Sequence, residues 1–254
     1  MIRAALLALL LLPQAAFAAG EEIVSGLSQN QVQITANFDG SEILIYGAVK
    51  RDAPAPTDAP MAVIITVEGP AVPMVIRRKE RVAGIWVNAS AITVDAAPSF
   101  YAVATSAAFE RALTKTEDLR YKITLDHVIR AVGAASESAD AADFTTALRR
   151  IRLADKSYRL LPGHVQLVEE TLFRTDIDLP SNLTEGNYKV RMFITRGGKV
   201  IDHTERVIGV RKTGLERQLN VMAHEQSLLY GLISLALAAI AGWAASAGFR
   251  LLRR

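Results

Sequence analysis

Four histidines, His127, His164, His203 and His224, are the side chains with most scope for metal or acid–base chemistry, and they are widely scattered. His224-Glu225 opens as a zinc-protease helix does. There a second histidine four positions on would bring both imidazoles to one helix face, but that position is Leu228. Asp176 and Asp178 have the spacing that begins a calcium loop, yet Pro180 and Asn182 follow where an acidic ligand and a glycine are wanted. A strand with outward aspartates is the expectation there. The sequence has no Gly-x-Ser-x-Gly elbow, phosphate loop or dinucleotide fingerprint. Its five methionines are dispersed and make no copper site, and with no cysteine a thiol redox role and a Cys-based metal site are excluded. No catalytic residues, metal ligands or cofactor follow from these patterns, and the expectation is a protein that is not an enzyme.

Residues suited to contact are easier to find. Trp86 sits between Ile85 and Val87 in a strand-like run, where a core or half-buried place is the expectation and an exposed partner anchor the alternative. Arg77-Arg78-Lys79-Glu80-Arg81 gathers four bases and one acid. It reads as a solvated hairpin end that could also meet acidic headgroups or an acidic partner. Ser234, Ala238, Gly242 and Ser246 recur every four residues, a stripe of small side chains that would let two helices approach closely in lipid, although an alanine-rich segment yields such spacing by chance.

That last stripe lies in one of two apolar ends, which are different devices. Met1–Ala18 has a basic start at Arg3, a nine-residue apolar run Ala4–Leu12, and small residues at Ala16 and Ala18, so it reads as an export signal cleaved before Ala19. Leu228–Phe249 runs 22 residues without a charge, about 33 Å as a helix and enough to span a hydrocarbon core. Arg250, Arg253 and Arg254 follow it, and the positive-inside bias then places the C-terminus in the cytoplasm. Both ends predict a bacterial inner-membrane protein with one pass, a periplasmic main domain and a short cytoplasmic tail at 250–254.

Charge agrees with that layout. The chain carries 29 bases and 26 acids, but four of the bases (Arg3, Arg250, Arg253, Arg254) and none of the acids lie in the terminal segments. The stretch 19–227 thus holds 25 bases against 26 acids. The basic balance reports topology, and a nucleic-acid partner is excluded.

The domain at 19–212 reads as mainly β. Val32, Ile34 and Ala36 alternate, and Asp39-Gly40 predicts a hairpin to Ile43–Tyr46. Three prolines mark 51–60 as a surface loop; Met61–Val67 is a short run suited to a fully covered strand, and Pro73–Arg77, Val82–Val87 and Tyr101–Thr105 follow. The period then turns helical over Glu117–Val132 and Ala139–Tyr158, predicting a helical hairpin inserted at about 116–158, with Gly133–Ser138 as its link. Strands return at Val165–Phe173, Thr175–Leu179, Asn187–Thr195 and Lys199–Val207, the last two joined by Gly197-Gly198. Short strands with tight turns predict a β-sandwich-like domain. Over 213–227 Leu215, Leu219 and Met222 share a face, predicting an amphipathic juxtamembrane helix that leads into the span at 228–249.

Several runs are familiar: Phe38-Asp39-Gly40-Ser41-Glu42-Ile43-Leu44-Ile45-Tyr46-Gly47-Ala48, Val67-Glu68-Gly69-Pro70, Arg77-Arg78-Lys79, Gly84-Ile85-Trp86-Val87-Asn88, Pro98-Ser99-Phe100-Tyr101 and Glu185-Gly186-Asn187-Tyr188. With the two apolar ends, the chain resembles the transmembrane protein family of Alphaproteobacteria over nearly its whole length. The resemblance implies architecture and compartment, and it brings no catalytic or binding residues. The reading is a membrane protein with a periplasmic interaction domain, an accessory subunit of a membrane complex such as a transporter, whose partner is a membrane protein or a second copy. The alternative is a tethered periplasmic ligand-binding or envelope enzyme domain. A pocket with converging polar groups would favour the alternative, and an exposed apolar patch the first reading.

Overall fold

The computed structural model describes residues 20–35, 38–57, 59–130, 141–213 and 222–252. The expected export signal 1–18, the expected link 133–138, Leu215 and Leu219 of the expected juxtamembrane helix, and Arg253 and Arg254 lie outside the described residues. The remainder is mainly β. β1 (Glu21–Leu27), β3 (Ser41–Arg51), β10 (Leu172–Leu179) and β9 (Gln166–Val168) form a four-stranded sheet in the order β1-β3-β10-β9. A six-stranded sheet runs β2 (Gln31–Ile34), β12 (Lys199–Lys212), β11 (Gly186–Arg196), β4 (Met61–Glu68), β7 (Tyr101–Thr105) and β8 (Tyr158–Leu161). β5 (Ala71–Val82) and β6 (Ile85–Pro98) form a separate two-stranded sheet.

Alternation puts the core where the two sheets face. In β10 the burial alternates residue by residue, with Phe173, Thr175, Ile177 and Leu179 inside and Asp176 and Asp178 outside. Those side chains meet Ile43 and Ile45 of the same sheet and Val63, Ile65, Val67, Val190, Met192, Ile194 and Val210 of the other. The six-stranded sheet is covered on its second face too, where Ile64, Tyr101, Val103 and Phe193 pack against Leu113, Ile123 and Leu125. That is why Met61–Val67 is buried at every position and carries no polar alternation.

Three short helices supply this cover: α1 (Phe109–Ala112), α2 (Lys115–Tyr121) and α3 (Leu125–Val128). The helical period over 117–132 is broken by Lys122, which takes a left-handed conformation. Asp118 closes the break by accepting from the backbone N–H of Ile123 and of Thr124 and from the Thr124 hydroxyl, at 3.1, 2.8 and 2.6 Å. A local cap thus outweighs continued periodicity. α4 (Ala141–Ala154) buries Phe144 and Leu148 of its expected apolar side, whereas Ile151 and Leu153 are exposed.

The Asp39-Gly40 hairpin is not formed. β2 pairs in parallel with β12 in the six-stranded sheet, whereas β3 pairs antiparallel with β1 and β10 in the other. The chain changes sheets between these strands, so the turn signal marks a crossover. Gly197-Gly198 does join β11 to β12. The run 165–173 is divided by a turn at Glu169-Glu170, both at positive φ. α5 (Ser227–Leu252) contains a 20-residue stretch, Ser227–Ser246, with a mean hydropathy of 1.9 and none of it buried, long and apolar enough to cross a membrane.

Candidate interaction surfaces

β5 and β6 are the far half of one long ribbon. β4 pairs with β7 up to Glu68 opposite Tyr101, the Gly69 N–H donates to the Phe100 carbonyl at 2.8 Å, and the Ser99 N–H donates to the Pro70 carbonyl at 2.9 Å. Ala71 then faces Pro98 in unbroken register. The ribbon leaves the sandwich through a collar of close contacts. A Cβ on Gly69 would lie 2.7 Å from the Ser99 hydroxyl and 2.9 Å from the Tyr188 ring, and one on Gly186 would lie 2.8 Å from Pro70. Three of the runs that carry the family resemblance, around Gly69, Ser99 and Gly186–Tyr188, meet here although they are far apart in sequence.

Ala83 and Gly84 turn the ribbon at its tip, with φ of 50° and 88°. Two positive φ values match the right-handed twist of the flanking strands. The alanine hides this turn in the sequence, since the preferred residues at its position are Asn, Asp and Gly. Arg77–Arg81 accordingly forms the end of β5 that runs up to this hairpin turn, solvated as expected, and Trp86 lies two residues past the turn, 68% exposed. The core place expected for Trp86 is therefore corrected: within the strand-like run 82–87, Val82 ends β5, Ala83 and Gly84 turn, and Ile85–Val87 begin β6. Arg81 pairs with Trp86 and Lys79 with Asn88 on one face, while Val82 pairs with Ile85 and Glu80 with Val87 on the other. Arg78 lies 5.3 Å over the Phe144 ring and 3.4 Å from Glu80, which ties it to α4. Arg77, Lys79 and Arg81 have no acidic partner among the described residues.

A second surface crosses the four-stranded sheet. Val24 faces Ala48, Ala48 faces Leu172, and Leu172 faces Val168, one apolar row spanning all four strands. Val24, Leu172 and Val168 are each more than half exposed. The Glu22–Lys50 ion pair, at 3.7 Å, and Tyr46 with Arg174 flank the row on either side.

One end of the sandwich is closed by a buried ionic cluster that sequence reading missed, because its members are 26 to 175 residues apart. The Glu21 carboxylate accepts from Arg51 at 2.5 Å and from Arg196 at 2.9 Å. Arg196 also donates to the Pro56 and Ala59 carbonyls and meets Glu170 at 3.4 Å, while Arg51 donates to the Glu170 carbonyl. Burial alone would raise the Glu21 pKa, but the bonds and charges of Arg196 and Arg51 outweigh it and hold the carboxyl below its ordinary value. Burial pushes the Tyr101 hydroxyl well up and the Tyr158 hydroxyl up to about 12. Both are satisfied core donors, to the Ile123 and Pro98 carbonyls.

The histidines stay apart. His127 lies 3.5 Å from Asp118, His164 contacts the Asp176 carbonyl at 3.1 Å, and His203 stacks on Phe193 with centroids 5.9 Å apart. Among the described residues no group of three or more His, Asp or Glu could hold a metal ion. A cleft of about 240 Å³ between α3 and α4 is lined by Leu125, Asp126, Ile129, Ala142, Thr145, Thr146 and Arg149. It falls below the usual range for small-molecule sites, and its two charged groups pair with each other. On α5 the small residues Ser234, Ala238, Gly242 and Ser246 are all exposed, and a Cβ on Gly242 would meet nothing within 4 Å.

A comparison with curated proteins gave no match. The β domain, its ribbon collar and the apolar helix are covered together by one family model, described as "Putative transmembrane protein (Alph_Pro_TM)", which matches residues 22–251; the chain belongs to that family.

Proposed function

We propose that this membrane protein is a single-pass inner-membrane protein whose β domain lies in the periplasm and works through protein contacts, as an accessory subunit of a membrane complex such as a transporter. The apolar row Val24–Ala48–Leu172–Val168 supports this reading. Single exposed apolar residues need no explanation, but a contiguous row rimmed by charge has the make-up of a contact surface. A tethered enzyme or ligand-binding domain has less support, because the perturbed ionisable groups sit in the core or in the ionic cluster and do not line the α3–α4 cleft.

The test is co-purification from crosslinked membranes. Leu172→Glu and Val24→Glu should each weaken retention of a membrane-protein partner by about thirtyfold, the size of a contact hot spot. Glu42→Arg, at the far end of β3, should leave retention unchanged. Retention of the same partner by all three variants would remove this surface from the account.

A further inference from the structure

We infer that the β5–β6 ribbon docks on the surface of the membrane that α5 spans, with Ile85 and Trp86 in the headgroup layer and Arg77, Lys79 and Arg81 on anionic lipid. The inference goes beyond the subunit reading and rests only on the chain's anchorage in a membrane.

Topology supplies the first support. The ribbon root and the exit toward α5 lie at the same end of the six-stranded sheet. Gly186 pairs with Val210 and touches Pro70, so the root stands beside the last residues of β12, which ends at Lys212. The order β12-β11-β4 separates exit and root by two strand spacings, about 10 Å. β5 has 12 residues, a reach of about 40 Å. Residues 222–225 are helical, so from Lys212 to Ser227 the chain can reach at most about 40 Å. A tether no longer than the ribbon keeps the tip within reach of the bilayer.

Chemistry supplies the second. The tip carries Val82, Ile85 and Trp86 at 53, 65 and 68% exposure, with no core to enter. Directly behind them stand three bases without acidic partners among the described residues. Tryptophan is at home in the headgroup layer of a bilayer, and bases just outside that layer are drawn to anionic lipid. A water-exposed tip would favour neither feature, and an apolar protein groove would leave the bases unmatched. The third support is stiffness: α4 packs Phe144 on Ile92 and Leu148 on Val94 and Ala97, so the ribbon is braced along its inner half and free at its outer half. A braced lever with an aromatic, basic end suits contact with a plane.

The sequence contains two tryptophans, so Trp243→Phe leaves Trp86 as the sole fluorophore of the full-length chain. That protein is reconstituted into vesicles of phosphatidylcholine alone or mixed with phosphatidylglycerol. With the anionic lipid, Trp86 emission should shift to the blue, be quenched by bromine-labelled lipid and resist acrylamide. Replacing Arg77, Lys79 and Arg81 by glutamine should return it to water-like emission, the docked-to-undocked ratio falling about fivefold per base. An unchanged thermal transition of the triple variant shows that the sandwich is intact. Water-like, acrylamide-accessible emission of the parent in both lipids would overturn the inference. So would shielding of Trp86 in native membranes alone, which would assign the ribbon to a protein partner. The vesicles hold no other protein, so failure of the subunit reading would leave this result untouched.

Discussion

Glu21 illustrates how a single residue can close one end of the fold. Its carboxylate is buried between Arg51 and Arg196, which in turn hold the loop carbonyls of Pro56 and Ala59 and the turn at Glu170. Removing one member of a buried ion pair leaves its partners uncompensated, and Glu21→Gln should cost about 3 kcal/mol at neutral pH. The sign of the pH dependence follows from the depressed carboxyl. Its contribution is complete above the unfolded value of 4.5 and is lost as pH falls through the lower folded value. Thermal melts of parent and variant should therefore converge below that value, and a gap that stays constant into acid would show that the charge is not what matters. None of this was legible in the sequence, since the cluster joins β1, β3, β11 and a turn with no local pattern. Trp86 was misplaced for a different reason. Alanine at the first turn position concealed the tip, and a tryptophan between two β-branched residues resembles a core residue until the turn is known.

At the level of elements, strands with one buried face were readable and long-range pairings were not. β10 shows its alternation directly, and Met61–Val67 announces its double cover by being apolar but for Thr66. The partner of β2 is β12, nearly the whole domain away, and parallel pairing at that distance leaves no trace near the Asp39-Gly40 turn. The inserted helices were visible by period, but the Asp118 cap that splits the first of them needs three dimensions to be seen. α4 has a separate role as the brace of the ribbon. Leu148→Ala should remove about 3 kcal/mol of packing, spent locally because its contacts are with β5, β6 and Ile129 and not with the sandwich core. Hydrogen exchange should accelerate in 74–97 while β3, β10 and β11 stay protected. Uniform acceleration throughout the domain would mean that the ribbon and sandwich unfold as one unit.

For the molecule as a whole, the decisive link is the one between Lys212 and Ser227. A domain that folds as two packed sheets with its own core lies entirely on one side of any bilayer that α5 crosses, and the ribbon root faces the exit on that side. Which side is a matter of charge: Arg250, Arg253 and Arg254 follow the span and no acid offsets them. In the orientation proposed above, the positive-inside bias retains that end in the cytoplasm and sends the domain across. Because the sequence has no cysteine, single thiols report this without background. Lys199, exposed at the turn between β11 and β12, is a suitable site, whereas the Ser25 hydroxyl is buried. In intact spheroplasts a membrane-impermeant thiol reagent should label Lys199→Cys and should reach a cysteine placed after Arg254 only once the membrane is opened. The opposite pattern would put the β domain in the cytoplasm. The ribbon would then face the inner leaflet with the same bases and the same tryptophan, and the search for a partner subunit would move to that compartment with it.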